Sequence, residues 1–258
     1  MIHQISDGYV KTETHNGVTT IEFFHPQNNS LPIKILEDLT REIQLSGTNL
    51  STQVIVLRSG GDKMFCTGAS LKELGAVETQ EQATAFFKGF ADLINTMRKC
   101  PKLIIGRIHG SCVGGGVGIA AAVDYCIAYE PVDIRLSELT IGIGPFVIAP
   151  AVERKIGLSA FSQLAIDSNL WRNSEWAKRK GLFAEVHPTL EGLDESVARL
   201  ANVLAHQGEE PKAELKKLFW KGTEHWDTLL PERAAISAKL VLSGTAKEAI
   251  AKILEKKK

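Results

Sequence analysis

The chain is predicted to be an α/β protein in which stacked sheet layers are joined by crossover helices and followed by a C-terminal helical region. Three observations carry that reading. Strand-like and helix-like apolar patterns alternate from residue 9 to residue 137, and only helical periodicity follows from residue 149. Apolar strands also end repeatedly at glycine-bearing turns, at Ser59-Gly60-Gly61 and again before Gly114-Gly115-Gly116.

In order, residues 9–24 alternate apolar and polar side chains around Asn16-Gly17, a dipeptide suited to the left-handed backbone of a two-residue hairpin. Residues 33–45 carry apolar side chains at helical spacing, 54–58 form a strand-like run, and 81–98 are helical again. A strand is expected at 103–108, a buried helix of small residues at 115–123, a strand at 125–128 and a short one at 135–137 beside Glu138. Helices are then expected at 149–154, 160–166, 173–180, 193–206, 211–220, 230–242 and 246–255. The segment Gln207-Gly208-Glu209-Glu210-Pro211 mixes breakers with charge and reads as a hinge, dividing an α/β core (1–206) from a helical segment (207–258). No fixed-period repeat is visible.

With 258 residues, 44% of them hydrophobic, the chain has the material for a large core. Thirty basic residues balance thirty acidic ones, so no global field draws it to nucleic acid or to an anionic membrane. Its apolar runs are broken by glycine and fall short of the roughly 20 residues a spanning helix needs. Residues 1–7 lack the pattern of a targeting leader, and a cytoplasmic protein is expected; Lys256, Lys257 and Lys258 form a local basic patch. Cys66, Cys100, Cys112 and Cys126 make no Cys-x-x-Cys pair, which predicts reduced, buried thiols and no metal site. Cys66 and Cys112 sit beside glycine turns, which leaves a reactive thiol open.

The densest chemical signal is residues 110–124. There a triple glycine follows an apolar strand and opens a helix, baring backbone N–H groups at its positive end, so a phosphate or an oxyanion is stabilised. Gly116-x-Gly118-x-x-Ala121 matches a dinucleotide fingerprint only nominally, because Gly110 to Val113 separate it from the strand. A P-loop needs Gly-Lys-Ser/Thr and a nucleophile elbow needs Gly-x-Ser-x-Gly; both are absent. A purely structural role, close packing of helix on strand, remains the plain alternative. A second donor set follows the 54–58 strand at Met64-Phe65-Cys66-Thr67-Gly68-Ala69-Ser70-Leu71-Lys72-Glu73-Leu74. Two amides from separate strand ends converging on one oxygen stabilise a thioester enolate, each contributing roughly 3 kcal/mol in the transition state.

Residues 66–74, Gly110-Ser111-Cys112-Val113-Gly114-Gly115-Gly116, Asp124 and Ser137-Glu138-Leu139-Thr140-Ile141-Gly142-Ile143-Gly144-Pro145 together resemble the crotonase, or enoyl-CoA hydratase/isomerase, superfamily. The resemblance implies a crotonase-like spiral of ββα units with a C-terminal helical region for CoA contact and trimerisation, assembled as a homotrimer or dimer of trimers. It also implies an acyl-CoA substrate, with coenzyme A arriving as part of it and no separate cofactor. By position, Ala69 and Gly115 match the oxyanion hole and Glu138 a catalytic glutamate. Asn28, Ser30, Leu31, Lys72 and the basic C-terminus would lie near CoA, and Gly68 and Gly114 would shape the acyl channel.

One departure matters. Many family hydratases carry a further glutamate two residues after the triple glycine, where this chain has Gly118. Hydration or dehydration with Glu138 in both roles, double-bond isomerisation, and decarboxylation all stay open, as does a non-catalytic binding subunit. The run Gly-Gly-Gly-Val-Gly-Ile with Leu-Ser-Glu-Leu-Thr-Ile-Gly-Ile-Gly-Pro is similar to the bacterial 3-methylglutaconyl-CoA hydratase-like branch, which favours the hydratase. His109 is expected to cap or pack, Asp124 to tie loops together or cap a helix, and Trp171, Trp176, Trp220 and Trp226 to pack or meet another subunit.

Overall fold

The structure, a computed structural model, describes residues 8–255; the readings made for residues 1–7 and for Lys256 to Lys258 lie outside the described residues. The chain opens with β1 (Tyr9–His15) and β2 (Val18–Phe24), antiparallel with His15 opposite Val18. Asn16 and Gly17 between them have φ of 49° and 81°, the left-handed pair of a tight hairpin turn, at the place the sequence indicates. β3 (Ser30–Leu31) leads into α1 (Ile33–Thr48), which buries Ile35, Leu36, Leu39 and Ile43 along one stripe.

A repeating pattern then begins. β4 (Val54–Ser59), β5 (Met64–Cys66) and β6 (Gly68–Ala69) precede α2 (Leu71–Ala76) and α3 (Gln80–Lys99), the latter started by a reciprocal Thr79–Gln82 capping box. β7 (Ile104–Ile108), β8 (Ser111–Val113) and α4 (Gly115–Ala122) form the next turn. β9 (Tyr125–Tyr129), β10 (Asp133–Arg135), a tight 3-10 turn (Glu138–Ile141) and α5 (Ala149–Ile166) form the third. The remainder comprises β11 (Arg172–Asn173), α6 (Ser174–Lys180), β12 (Glu185–His187), α7 (Leu190–Ala205), α8 (Glu209–Phe219), α9 (Trp226–Val241) and α10 (Gly244–Glu255).

The first strand of each turn joins a six-stranded sheet in the order β1-β2-β4-β7-β9-β12, and the second joins a four-stranded sheet in the order β11-β10-β8-β5. Because β4, β7 and β9 pair in parallel, as do β5, β8 and β10, the chain climbs one strand per turn in both sheets at once. That is the ββα spiral the resemblance implies.

Sequence and structure differ at short elements. Residues beyond 149 are not all helical: β11 pairs antiparallel with β10, and β12 extends the large sheet beside β9. Segments of two and three residues are too short to display a period of two. The strand expected at 135–137 lies at 133–135, and Glu138 instead starts the tight turn that Gly142 closes with φ of 73°. The helices expected at 149–154 and 160–166 are two arms of α5, bent at Gly157, where φ is +76°.

Residues 54–57 of β4 read as an apolar run because both faces of the strand are covered there. Ile55 and Leu57 enter the main core with α1 and α3, whereas Val54 and Val56 pack under α7 against Leu193 and Val197. The C-terminal helices share the main core through Trp220, Trp226, Leu230 and Ile250. At the segment expected to be a hinge, Lys102 pairs with Glu209, and Lys212 Nζ donates to Leu204 O (2.7 Å) and Gln53 O (3.1 Å). Asp124 ties elements together as expected. Its carboxylate accepts from Ile104 N (2.8 Å), Lys216 Nζ (2.6 Å) and Trp220 Nε1 (2.9 Å).

Candidate active site

β6 and the start of α4 meet at one cavity of about 380 Å³. β6 pairs in parallel with β3, Leu31 opposite Ala69, and Ser70 N donates to Leu31 O (3.2 Å). Successive amides of a strand point to opposite edges, so Ser70 faces β3 and the Ala69 N–H faces the other way, toward α4. Gly115 is the first residue of α4, where backbone N–H groups have no helical partner. The two segments touch: a Cβ on Gly68 would stand 2.8 Å from Gly115 N and 2.9 Å from Val113 O. Gly68 also has φ of 78°, so close approach and backbone conformation both demand glycine there. Ala69, Gly115 and Glu138 line the same cavity.

Gly114 N donates to Arg135 O (2.9 Å), fastening the glycine loop to β10 and drawing the following turn alongside it. Glu138 lies directly on that loop; a Cβ at Gly114 would come within 2.8 Å of its Oε1. Its Oε2 is enclosed and has no hydrogen-bond partner. Burial pushes the carboxyl up from the usual range to about 7, opposed by its own backbone amide and by Arg135.

The position of the missing glutamate is closed. A Cβ on Gly118 would meet Ile148 Cγ2 at 2.4 Å, and one on Gly115 would meet the Phe90 ring at 2.4 Å. Phe87, Phe90, Ile143 and Ile148 give the cavity an apolar wall, and among the described residues its only charged lining side chains are Glu138 and Arg135.

The residues expected near CoA separate. Asn28, Gly68 and Gly114 line the cavity. Ser30 and Leu31 are buried away from it: Ser30 Oγ lies 3.0 Å from His25 Nδ1, and Leu31 is a core side chain whose contribution to the site is its backbone oxygen. Lys72 is exposed on α2 outside the lining. His109 is buried and outside the lining, its imidazole held below the usual range by burial and by Arg107. Burial pushes the Cys66 and Cys126 thiols up to about 12 and Cys112 well above the usual value, so these are inert buried thiols. Arg135 is not singled out by the sequence, and Trp171, expected to pack or to meet another subunit, lines the cavity instead. The Arg135 guanidinium carbon sits 4.6 Å from the centre of the Trp171 ring, and both line the cavity, because β10–β11 pairing returns residue 171 to it.

Two parallel stacks of ββα turns with helices closing an apolar cavity over a glycine loop define an α/β protein of the crotonase fold. A crystal structure of an enoyl-CoA hydratase from Bacillus halodurans superimposes with a TM-score of 0.87 at 22% identity, covering 95% of this chain and 99% of that one. The chain belongs to the enoyl-CoA hydratase/isomerase family, whose model matches residues 13–258. It is 34% identical over 144 residues to an enoyl-CoA hydratase of Alternaria alternata, a match covering 55% of this chain and 47% of that protein. The chain thus spans about half the length of the Alternaria relatives it matches. It is also 26% identical over 220 residues to a peroxisomal Delta(3,5)-Delta(2,4)-dienoyl-CoA isomerase of Arabidopsis thaliana, covering 79% and 77% of the two chains.

Proposed function

We propose that the chain is an enoyl-CoA hydratase/dehydratase working with a single carboxylate. The thioester oxygen accepts the Ala69 and Gly115 amides, so negative charge formed on it is stabilised. Ionised Glu138 takes a proton from water as the water oxygen bonds to the β carbon. The carboxylic acid so formed returns that proton to the α carbon as the enolate collapses. One water is added, the carboxylate is regenerated, and dehydration runs the same steps backward. A group titrating near 7 suits both halves, since it is neither too weak a base nor too weak an acid at neutral pH.

The observation that carries this reading is the enclosed, unpartnered Glu138 oxygen in the cavity that Ala69 and Gly115 line. The closed position at Gly118 supports a second reading, double-bond isomerisation, which needs only one base to move a proton between two carbons. The branch resemblance makes 3-methylglutaconyl-CoA the first acyl group to test, with decarboxylation of the same compound as a further outcome. Ile253 of α10 and Ser237 of α9 line the cavity, which supports a role for residues 207–258 in holding the thioester. A homotrimer or dimer of trimers is the assembly proposed.

Incubating the protein with crotonyl-CoA and 3-methylglutaconyl-CoA in deuterated water, read by mass and NMR, tests the reading. The expected product is a 3-hydroxyacyl-CoA bearing deuterium at the α carbon. A migrated double bond would assign the isomerase, loss of CO2 the decarboxylase, and no turnover of either thioester would favour a non-catalytic binding subunit.

A further inference from the structure

We infer that Arg135 and Trp171 form a receptor for a carboxylate carried on the acyl chain of the substrate. This rests on the reading that an acyl thioester occupies the cavity, and it adds the chemical class of the acyl group. Arg135 is the one cationic side chain lining the cavity among the described residues, set in a wall otherwise largely apolar. Its Nε is enclosed with no hydrogen-bond partner, and among the described residues no carboxylate lies within ion-pair distance of it. Arg135 is half-buried, and an enclosed N–H donor such as its Nε is costly to leave unpaired unless something else completes it.

Its surroundings favour an anion from outside the chain. Stacking on Trp171 occupies the flat face of the guanidinium and leaves the in-plane fork of N–H donors, which fits a carboxylate bidentately. Arg135 pairs with Val113, its oxygen accepts from Gly114 N, and Glu138 follows three residues on, so the cation belongs to the part of the cavity where proton transfer is proposed. Trp171 is about 41% exposed, so a bound carboxylate would keep part of its hydration. A phosphate of coenzyme A offers the same charge to the same fork. The test therefore separates the two sources.

Isothermal titration with glutaryl-CoA and valeryl-CoA compares thioesters of equal chain length that end in a carboxylate or a methyl group. Neither has a double bond, so the measurement does not depend on turnover. The protein should bind glutaryl-CoA about tenfold or more tightly than valeryl-CoA. That ratio should fall to about one in Arg135→Leu and to an intermediate value in Arg135→Lys and Trp171→Leu, each confirmed folded by circular dichroism. Equal affinity for the two thioesters in the unaltered protein would overturn the inference. So would an equal loss for both in Arg135→Leu, which would assign the cation to the nucleotide phosphates. Failure of the protein to bind either thioester would overturn the acyl-CoA reading itself and this inference with it.

Discussion

Glu138 owes its chemistry to where it is enclosed. Burial against Gly114 favours the neutral acid, and Arg135 is too distant for an ion pair to reverse that, leaving a carboxyl poised near 7. Proton abstraction from water or from an α carbon requires the ionised form, so kcat/KM should fall about tenfold per pH unit below about 7 in a pH–rate profile. Glu138→Gln should lower kcat by about a thousandfold with little change in thioester affinity, measured by steady-state kinetics and titration. The same shift has a stability consequence of definite sign. Because the folded state holds this proton more tightly than the unfolded one, stability is greatest below the ordinary carboxylate range and declines as pH rises toward about 7. Glu138→Gln should therefore be more stable than the parent at pH 8, by on the order of 2 kcal/mol, and nearly equal to it at pH 4, as read by chemical denaturation at both values.

The glycines set the distance between elements. Gly68 and Gly118 are not interchangeable with alanine, even though alanine loses less backbone entropy than glycine on folding, because the first lies against Gly115 and the second against Ile148. Gly118→Ala should destabilise the protein by about 1–3 kcal/mol, and Ile148→Ala in the same chain should restore part of that loss, a coupling that a double-mutant cycle measures. Much of this level could be read from the sequence. Asn16-Gly17 marked the hairpin, the triple glycine marked the start of α4, and apolar spacing marked α1 and α3. What stayed hidden depends on partners distant in the chain. β3 and β6 are two residues each and exist only through their mutual pairing, Trp171 reaches the cavity only because β11 pairs with β10, and the Gly118–Ile148 contact joins two elements whose packing no local pattern encodes. Ser30 and Leu31 illustrate the reverse: the family resemblance implied that they lie near CoA, but their side chains turn toward His25 and the core.

At the scale of the whole molecule, the spiral and the C-terminal helices form one core, and Asp124 joins them where β7, β9 and α8 meet. Lys216 and Asp124 are both buried in this pair, 2.6 Å apart. Asp124→Ala should cost about 3 kcal/mol or more, since it strands a buried ammonium and the Trp220 indole N–H, and urea unfolding followed by tryptophan fluorescence would register it. Leu158 and Ile166 on α5 and Leu215, Leu218 and Phe219 on α8 remain exposed, and Arg154 on α5 donates to Phe219 O, bringing the two helices together. Light scattering on the purified protein should give three or six times the single-chain mass if this apolar surface is covered by further copies.

The two-amide site is tested most directly by the vibrational frequency of a bound thioester carbonyl. Crotonyl-CoA labelled with carbon-13 at the thioester carbon, bound to Glu138→Gln so that turnover is suppressed, should show its C=O stretch at lower frequency than in free solution, because amide donors at Ala69 and Gly115 polarise that bond. A bound carbonyl stretching at its solution frequency would contradict the account.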